Sequence, residues 1–194
     1  MTGLSQHRAA VAAAAAEEER HVKGLESGVS PADFKLAFRH HAAGVAVVTA
    51  DAGDGPVGIT VSSLFSVSAE PPLMVFSIAN SSSSAPALQR AETLVVHLLG
   101  SRHLEIARLC STAGVDRFAD TSLWRRLPTG EPHFPGVPVW IRGRVINRME
   151  AGNSTVIAIH ALESEHADDD LTPTPLVYHN RTWHSLGDAS RLGD

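Results

Sequence analysis

Hydrophobic positions in this chain come in short blocks rather than long stripes. Val45–Thr49, Val57–Val61, Leu73–Ile78 and Thr93–Leu99 are compact apolar runs, the length and composition of β-strands. Val139–Met149 alternates apolar and polar residues like a half-exposed strand, and Thr155–Leu162 returns as its partner after a turn at Ala151–Ser154. Leu176–Tyr178 and Thr182–Ser185 bracket a tight Asn180-Arg181 turn. The DAGDG segment at Asp51–Gly55 is turn chemistry that joins the first two runs as a hairpin, and Glu70-Pro71-Pro72 breaks the chain before the third.

Helical spacing is rarer. Ser30-Pro31 is an N-cap followed by proline at the first helical position; Phe34, Ala37, Phe38 and His41 then share one face, and Gly44 is the expected stop. Pro86–Ala91 predicts a short helix, and Ser101 is expected to cap another over His103–Cys110. Seven or so strands without strict βαβ alternation predict a mainly β fold, an antiparallel barrel with a few short helices. The expected domain plan is an N-terminal helical or disordered extension over 1–29, a folded domain over 30–187 and a loose tail over 188–194. Within the domain, Ser111 to Pro138 has little regular pattern, the mark of a functional or covering segment. Asp168–Asp170 reads as a solvated acidic turn.

Composition narrows the function classes. At 194 residues, 43% hydrophobic and 19% charged, the chain has the make-up of one globular domain. Its net charge of −5 argues against nucleic acid or an anionic membrane as partner. It contains no apolar run long enough to span a bilayer. A single cysteine, Cys110, excludes an intrachain disulfide and suits a reducing cytoplasm. There is no Walker or GxSxG sequence, and none of the eleven histidines sits in HExxH or HxH spacing, so no metal is expected. His97, inside an apolar run, reads as a satisfied core histidine.

The distinctive chemistry is hydroxyl-rich. Thr60, Ser62, Ser63, Ser66 and Ser68 follow one apolar run; Asn80 and Ser81–Ser84 follow another. Short donors at the ends of rigid strands suit a ligand carrying phosphate and hydroxyls, because hydroxyls and loop amides can hold an anion without a lysine. Arg125-Arg126 beside Trp124 is a weaker candidate anion grip.

The segments FRHHAAGVAVVTA, GITVSSLFSVSAEPPLMVFSIANSSSSAPAL, DRFA and PLVYHNRTWHSL, in that order, resemble the short-chain flavin reductase family, the reductase components of two-component flavin monooxygenases. The resemblance runs from about Pro31 to Leu186. It implies an FMN-binding split β-barrel, FMN or FAD as cofactor, NADH or NADPH as electron donor, a homodimer with flavin near the subunit interface, and a flavin-dependent monooxygenase as partner. By the same resemblance, Thr60, Val61, Ser62, Ser63, Asn80, Ser81 and Ser83 bind flavin. Val47 and Thr49 help line the ring, Arg117 supplies phosphate charge from the DRF segment, and Phe118 beside it is a further flavin-binding candidate. Many family members carry Gly-Asp-His, linked to nicotinamide binding, where this chain reads Gly152-Asn153-Ser154. Ser154 therefore stands at the catalytic position, with His179 or His160 as alternative sources of an imidazole. The competing expectation is an FMN-binding protein without NAD(P)H reductase activity.

Overall fold

A computed structural model describes residues 28–166 and 174–192. The expected extension over residues 1–27 and the Asp168–Asp170 turn lie outside the described residues. Backbone contacts divide the chain between Phe38 and Arg39. On the N-terminal side, α1 (Pro31–Phe38) begins as expected: Ser30 Oγ accepts from the Asp33 amide at 3.1 Å and donates to the Asp33 carboxylate at 2.7 Å. Phe34 and Phe38 lie against each other at 4.6 Å between ring centroids, and no residue of this helix is buried. The helix stops at Phe38 rather than at Gly44, because Ala43–Gly44 is drawn into strand β1.

From Arg39 on, seven strands form one antiparallel sheet in the order β3-β2-β6-β9-β10-β5-β4. They are β2 (Ala46–Asp51), β3 (Pro56–Val61), β4 (Phe65–Ala69), β5 (Pro72–Ala79), β6 (Thr93–Leu98), β9 (Trp140–Ala151) and β10 (Ser154–Glu165). The β2–β3 hairpin turns where the DAGDG segment requires: Asp51 Oδ1 accepts from the Gly53 and Gly55 amides, and both glycines have positive φ. The edge strands β3 and β4 are consecutive in the chain yet do not pair, so the sheet curls without closing. This is the expected split barrel. Strand β4 was not among the predicted elements; FSVSA alternates at period two, and Ser66 and Ser68 lie on a paired strand rather than in a hydroxyl loop.

Two apolar layers explain why some strands read as continuous runs. Inside the barrel, Val48, Phe76, Ile78, Leu94, Val96, Ile157 and Ile159 are buried together, with Leu88 of α2 (Ala85–Arg90) plugging one end. Outside it, Val47 and Leu99 pack under Ala107 and Cys110 of α3 (Leu104–Ser111) and under Phe118, Phe134 and Val137. Strands β2 and β6 lie between the layers and are apolar on both faces, whereas β5 and β10 alternate. The segment between Ser111 and Pro138 is thus a cover, with one short hairpin, β7 (Arg125–Arg126) with β8 (Pro132–His133).

His97 fastens that cover, confirming its place as a core histidine. Its Nδ1 lies 3.1 Å from the Val47 carbonyl and its Nε2 accepts from the Phe134 amide at 3.1 Å. Burial pushes its imidazole down to about 3, so the ring is neutral and donates through Nδ1. Ser101 does not cap α3: Ser101–His103 forms a 3-10 turn in which His103 Nδ1 accepts from the Gly100 amide. A separate three-stranded sheet pairs β1 (Ala43–Gly44), β11 (Leu176–His179) and β12 (Thr182–Ser185). Its hairpin is closed by Asn180 and Arg181, both at positive φ, where the sequence places the turn.

Candidate functional site

Strand β3 is a free edge of the split barrel, and both hydroxyl-rich segments converge on it. At its start, Ser84 Oγ donates to the Gly58 carbonyl at 3.0 Å. At its end, Thr60 Oγ1 donates to the Ala107 carbonyl of α3 at 2.6 Å, and Ser63 Oγ bonds both the amide and the carbonyl of Ser77. The first of these bonds satisfies a backbone carbonyl on the edge strand itself, and the other two tie the end of β3 to α3 and to β5. They also sort the candidates. The hydroxyls of Thr60 and Ser63 are committed to the fold, whereas those of Ser62 and Ser81 make no bond within the described residues.

Two clefts flank this edge. The smaller, about 120 Å³, is lined by Pro56, Gly58, Ser83, Ser84, Asp116 and Arg117. Gly58 keeps its floor thin, since a Cβ there would meet the Phe118 ring at 3.3 Å and the Cys110 sulfur at 3.5 Å. Arg117 Nη1 lies 3.3 Å from Ser84 Oγ and 3.5 Å from Ser83 Oγ, and Nη2 donates to the Thr112 carbonyl at 3.0 Å. Its Nε is buried without a partner, and it makes no ion pair among the described residues. Asp116, although it lines the same cleft, is occupied in capping the Phe118 amide. The cleft therefore holds a guanidinium with no ion-pair partner among the described residues beside the Ser83 hydroxyl, with the Asp116 carboxylate turned to a backbone amide, which is chemistry for a phosphate-sized anion. Phe118 itself is a core residue, packed against Trp124 and Phe134, that fixes the backbone from which Arg117 projects.

The second cleft, about 240 Å³, is lined by Val45, Thr60, Val61, Ser62, Ser111, Tyr178 and Trp183. Tyr178 and Trp183, cross-strand partners on β11 and β12, sit 4.8 Å apart at 59°. Two aromatic faces and two valines, with the uncommitted Ser62 hydroxyl beside them, suit the edge of a planar heterocycle; the Thr60 and Ser111 hydroxyls there donate to helix carbonyls. Gly58 and Thr60, one in each cleft, are two residues apart on β3, roughly 7 Å.

Other candidates fall elsewhere. Val47 and Thr49 are fully buried; Val47 faces the outer apolar layer, and Thr49 Oγ1 donates to the Pro132 carbonyl. Neither opens onto a cleft, because β2 is covered on both faces. His179 follows Tyr178 on its strand and so turns to the opposite face, where its ring lies 5.8 Å from His184. His160 is on β10, paired with Leu73 and Arg144. Ser154, at the tip of the β9–β10 hairpin, is half-buried, with its hydroxyl 3.4 Å from Asn153 Oδ1. The hairpin tip meets Asn80, whose amide donates to the Asn153 carbonyl at 2.9 Å. Two candidates from distant parts of the sequence, Asn80 and Ser154, are therefore neighbours. Arg126 pairs with Asp51 at 2.6 Å and lies 5.8 Å over the Trp124 ring, so it is spent within the fold. Among the described residues no cluster of His, Cys, Asp or Glu is arranged to hold a metal ion.

Tyr178, Trp183, Ser84 and Ser111 were not among the expected site residues. Only the PLVYHNRTW segment signalled the aromatic pair, and it showed a turn without showing what the turn would face.

Comparison with known proteins agrees with this fold. A family model described as a flavin reductase like domain matches residues 38–187. An NADH:FMN oxidoreductase of Rhodococcus qingshengii is 44% identical over 165 residues, covering 82% of this chain and 84% of that protein. The crystal structure of a flavin reductase domain protein from Arthrobacter sp. FB24 superposes with a TM-score of 0.76 at 33% identity, covering 81% and 96% of the two chains. The flavin reductase component of a bacterial two-component tryptophan halogenase superposes with a TM-score of 0.72 at 26% identity, covering 82% and 99%.

Proposed function

Because this chain belongs to the flavin reductase family, we propose that it is an NADH-dependent flavin reductase that binds FMN along the free edge of β3. The observation that carries the placement is Arg117, an unpaired cation held beside Ser83 and Ser84 in a cleft of phosphate size. In this reading Arg117 and Ser83 hold the flavin phosphate, and Ser84, whose proton is given to the Gly58 carbonyl, supports the guanidinium. Ser62, Val61 and the Tyr178–Trp183 pair meet the ring, while Thr60 and Ser63 shape the edge without touching the ligand. Ser81 and Asn80 stand at the rim.

When bound, the flavin supplies the redox chemistry, accepting a hydride from the nicotinamide donor. The protein's part is to bind and orient. A rigid β edge fixes one ring, the apolar wall of Val45, Val61, Tyr178 and Trp183 excludes water from it, and no side chain needs to donate a proton for hydride to pass. Ser154 can donate a hydrogen bond at the hairpin tip but supplies no imidazole.

The same proposal includes release of reduced flavin to a separate oxygenase, by analogy with the halogenase component above, and a cytoplasmic location suited to the single buried Cys110. It also includes a homodimer. Ile146 and Met149 on β9, Leu162 on β10 and Phe65 and Val67 on β4 are large apolar side chains left exposed by one copy, a surface suited to a second. Purified protein mixed with NADH and FMN tests the central reading. NADH absorbance should decay and flavin fluorescence should be quenched; a protein that does neither has another function.

A further inference from the structure

Three polar side chains close a triangle behind the rim of the site. Asn80 Oδ1 accepts from Thr155 Oγ1 at 2.8 Å and from Gln89 Nε2 at 3.1 Å, and Gln89 Nε2 also donates to Thr155 Oγ1 at 2.8 Å. They come from three elements: the loop after β5, strand β10 and helix α2. Thr155 is only 5% exposed, so its hydroxyl must be bonded within the protein, and its donation to Asn80 meets that need. The Asn80 backbone is held as well, through the Asn153 carbonyl of the hairpin tip.

The consequence lies on the other side of Asn80. With its oxygen saturated by two inward donors, its Nδ2 group must face outward, and no acceptor meets it among the described residues. Asn80 is exposed, beside Ser81, and only three residues from Ser83 in the phosphate-sized cleft, at most about 11 Å of chain. A side chain clamped at one end, with two unused donors at a ligand-binding rim, is a preorganised hydrogen-bond donor.

We propose that Gln89 and Thr155 are positioning residues that hold the Asn80 amide with its donors turned to the rim, where Asn80 binds an acceptor oxygen of a phosphorylated ligand. That oxygen belongs either to the flavin tail or to the nicotinamide dinucleotide. The inference rests on the flavin reductase reading and adds to it two residues, Gln89 and Thr155, that set the direction in which Asn80 offers its hydrogen bonds.

Two measurements on the full chain separate the sources: the FMN Kd from flavin fluorescence quenching, and KM and kcat for NADH at saturating FMN. Asn80→Ala should weaken one of these affinities about tenfold, with kcat changed less than about twofold. A shift in FMN Kd assigns the flavin tail; a shift in NADH KM alone assigns the dinucleotide. Asn80→Asp keeps the acceptor but replaces the donors with negative charge, so it should weaken the same affinity more than Ala does. Thr155→Val and Gln89→Met should each move the parameter that Asn80→Ala moves, by about three- to fivefold, and Thr155→Ser should restore it to within about twofold. The proposal is overturned if Asn80→Ala changes neither affinity, if Asn80→Asp binds as well as wild type, or if Thr155→Val and Gln89→Met leave intact the affinity that Asn80→Ala weakens. Should Thr155→Val not fold, Gln89→Met on the solvent side of the triangle gives the same comparison. Wild-type protein that neither quenches FMN nor oxidises NADH overturns the functional reading itself, a result distinct from each of these.

Discussion

Arg117 and Ser84 are 3.3 Å apart although they lie 33 residues apart in sequence, and Ser84 passes the contact on by donating to the Gly58 carbonyl. One short relay thus connects the cover segment, the second serine loop and the free edge of β3. It places a cation where the hydroxyls alone would offer only neutral donors. The chain's hydroxyls divide accordingly: some stitch the open seam of the barrel, and the rest are left for a ligand.

Arg117→Met should weaken FMN binding roughly ten- to a hundredfold, the worth of a hydrogen bond to a charged group. Riboflavin, which lacks the phosphate, should bind the variant and the wild type equally well. Titration of both flavins by fluorescence quenching checks this, and equal losses for the two would move the phosphate elsewhere.

Trp183→Ala acts on the other end of the ligand. It removes one of two aromatic faces from the larger cleft, so FMN and riboflavin should both bind about three- to tenfold more weakly. Unchanged affinity for both would take the ring out of that cleft.

Gly143→Ala tests the barrel rather than the site. A Cβ at 143 would overlap Ile159 Cγ2 and lie 3.0 Å from the His160 carbonyl, where β9 and β10 approach between two register shifts. Such overpacking should cost about 1–3 kcal/mol, read as a lower urea midpoint. An unchanged midpoint would contradict the close approach.

Stability should fall as pH drops from 6.5 towards 3. Burial depresses the folded-state pKa of His97 to about 3 from an ordinary 6.5. Between those values the unfolded chain takes up a proton that the folded chain refuses, so the stabilisation is complete above 6.5 and is lost progressively below it. His103 and His133, also lowered chiefly by burial, act in the same direction. His97→Gln should flatten the pH dependence of the urea midpoint, by at most about 1.4 kcal/mol per pH unit in the slope of stability. A variant with the wild-type slope would show that His97 does not titrate on unfolding.

The sequence by itself determined the longer strands other than β4, their hairpins and the family. Apolar runs at strand length, DAGDG and Asn180-Arg181 at the turns, and hydroxyl-rich segments in a fixed order are local features, and local propensity and covalent order suffice to read them. Strand β4 was equally local, visible as the alternation in FSVSA, but its serines drew it into the neighbouring loop. What only the tertiary structure decided was which side chains remain available. Thr60, Ser63 and Ser84 look no different in sequence from Ser62 and Ser83, and Val47 no different from Val45. Their roles part only when β3 becomes a free edge, β2 is covered on both faces, and the C-terminal hairpin brings Tyr178 and Trp183 against Thr60. A hydroxyl becomes structural or ligand-facing according to the backbone group that folding places within about 3 Å of it, and that partner is set by contacts between residues distant in the chain.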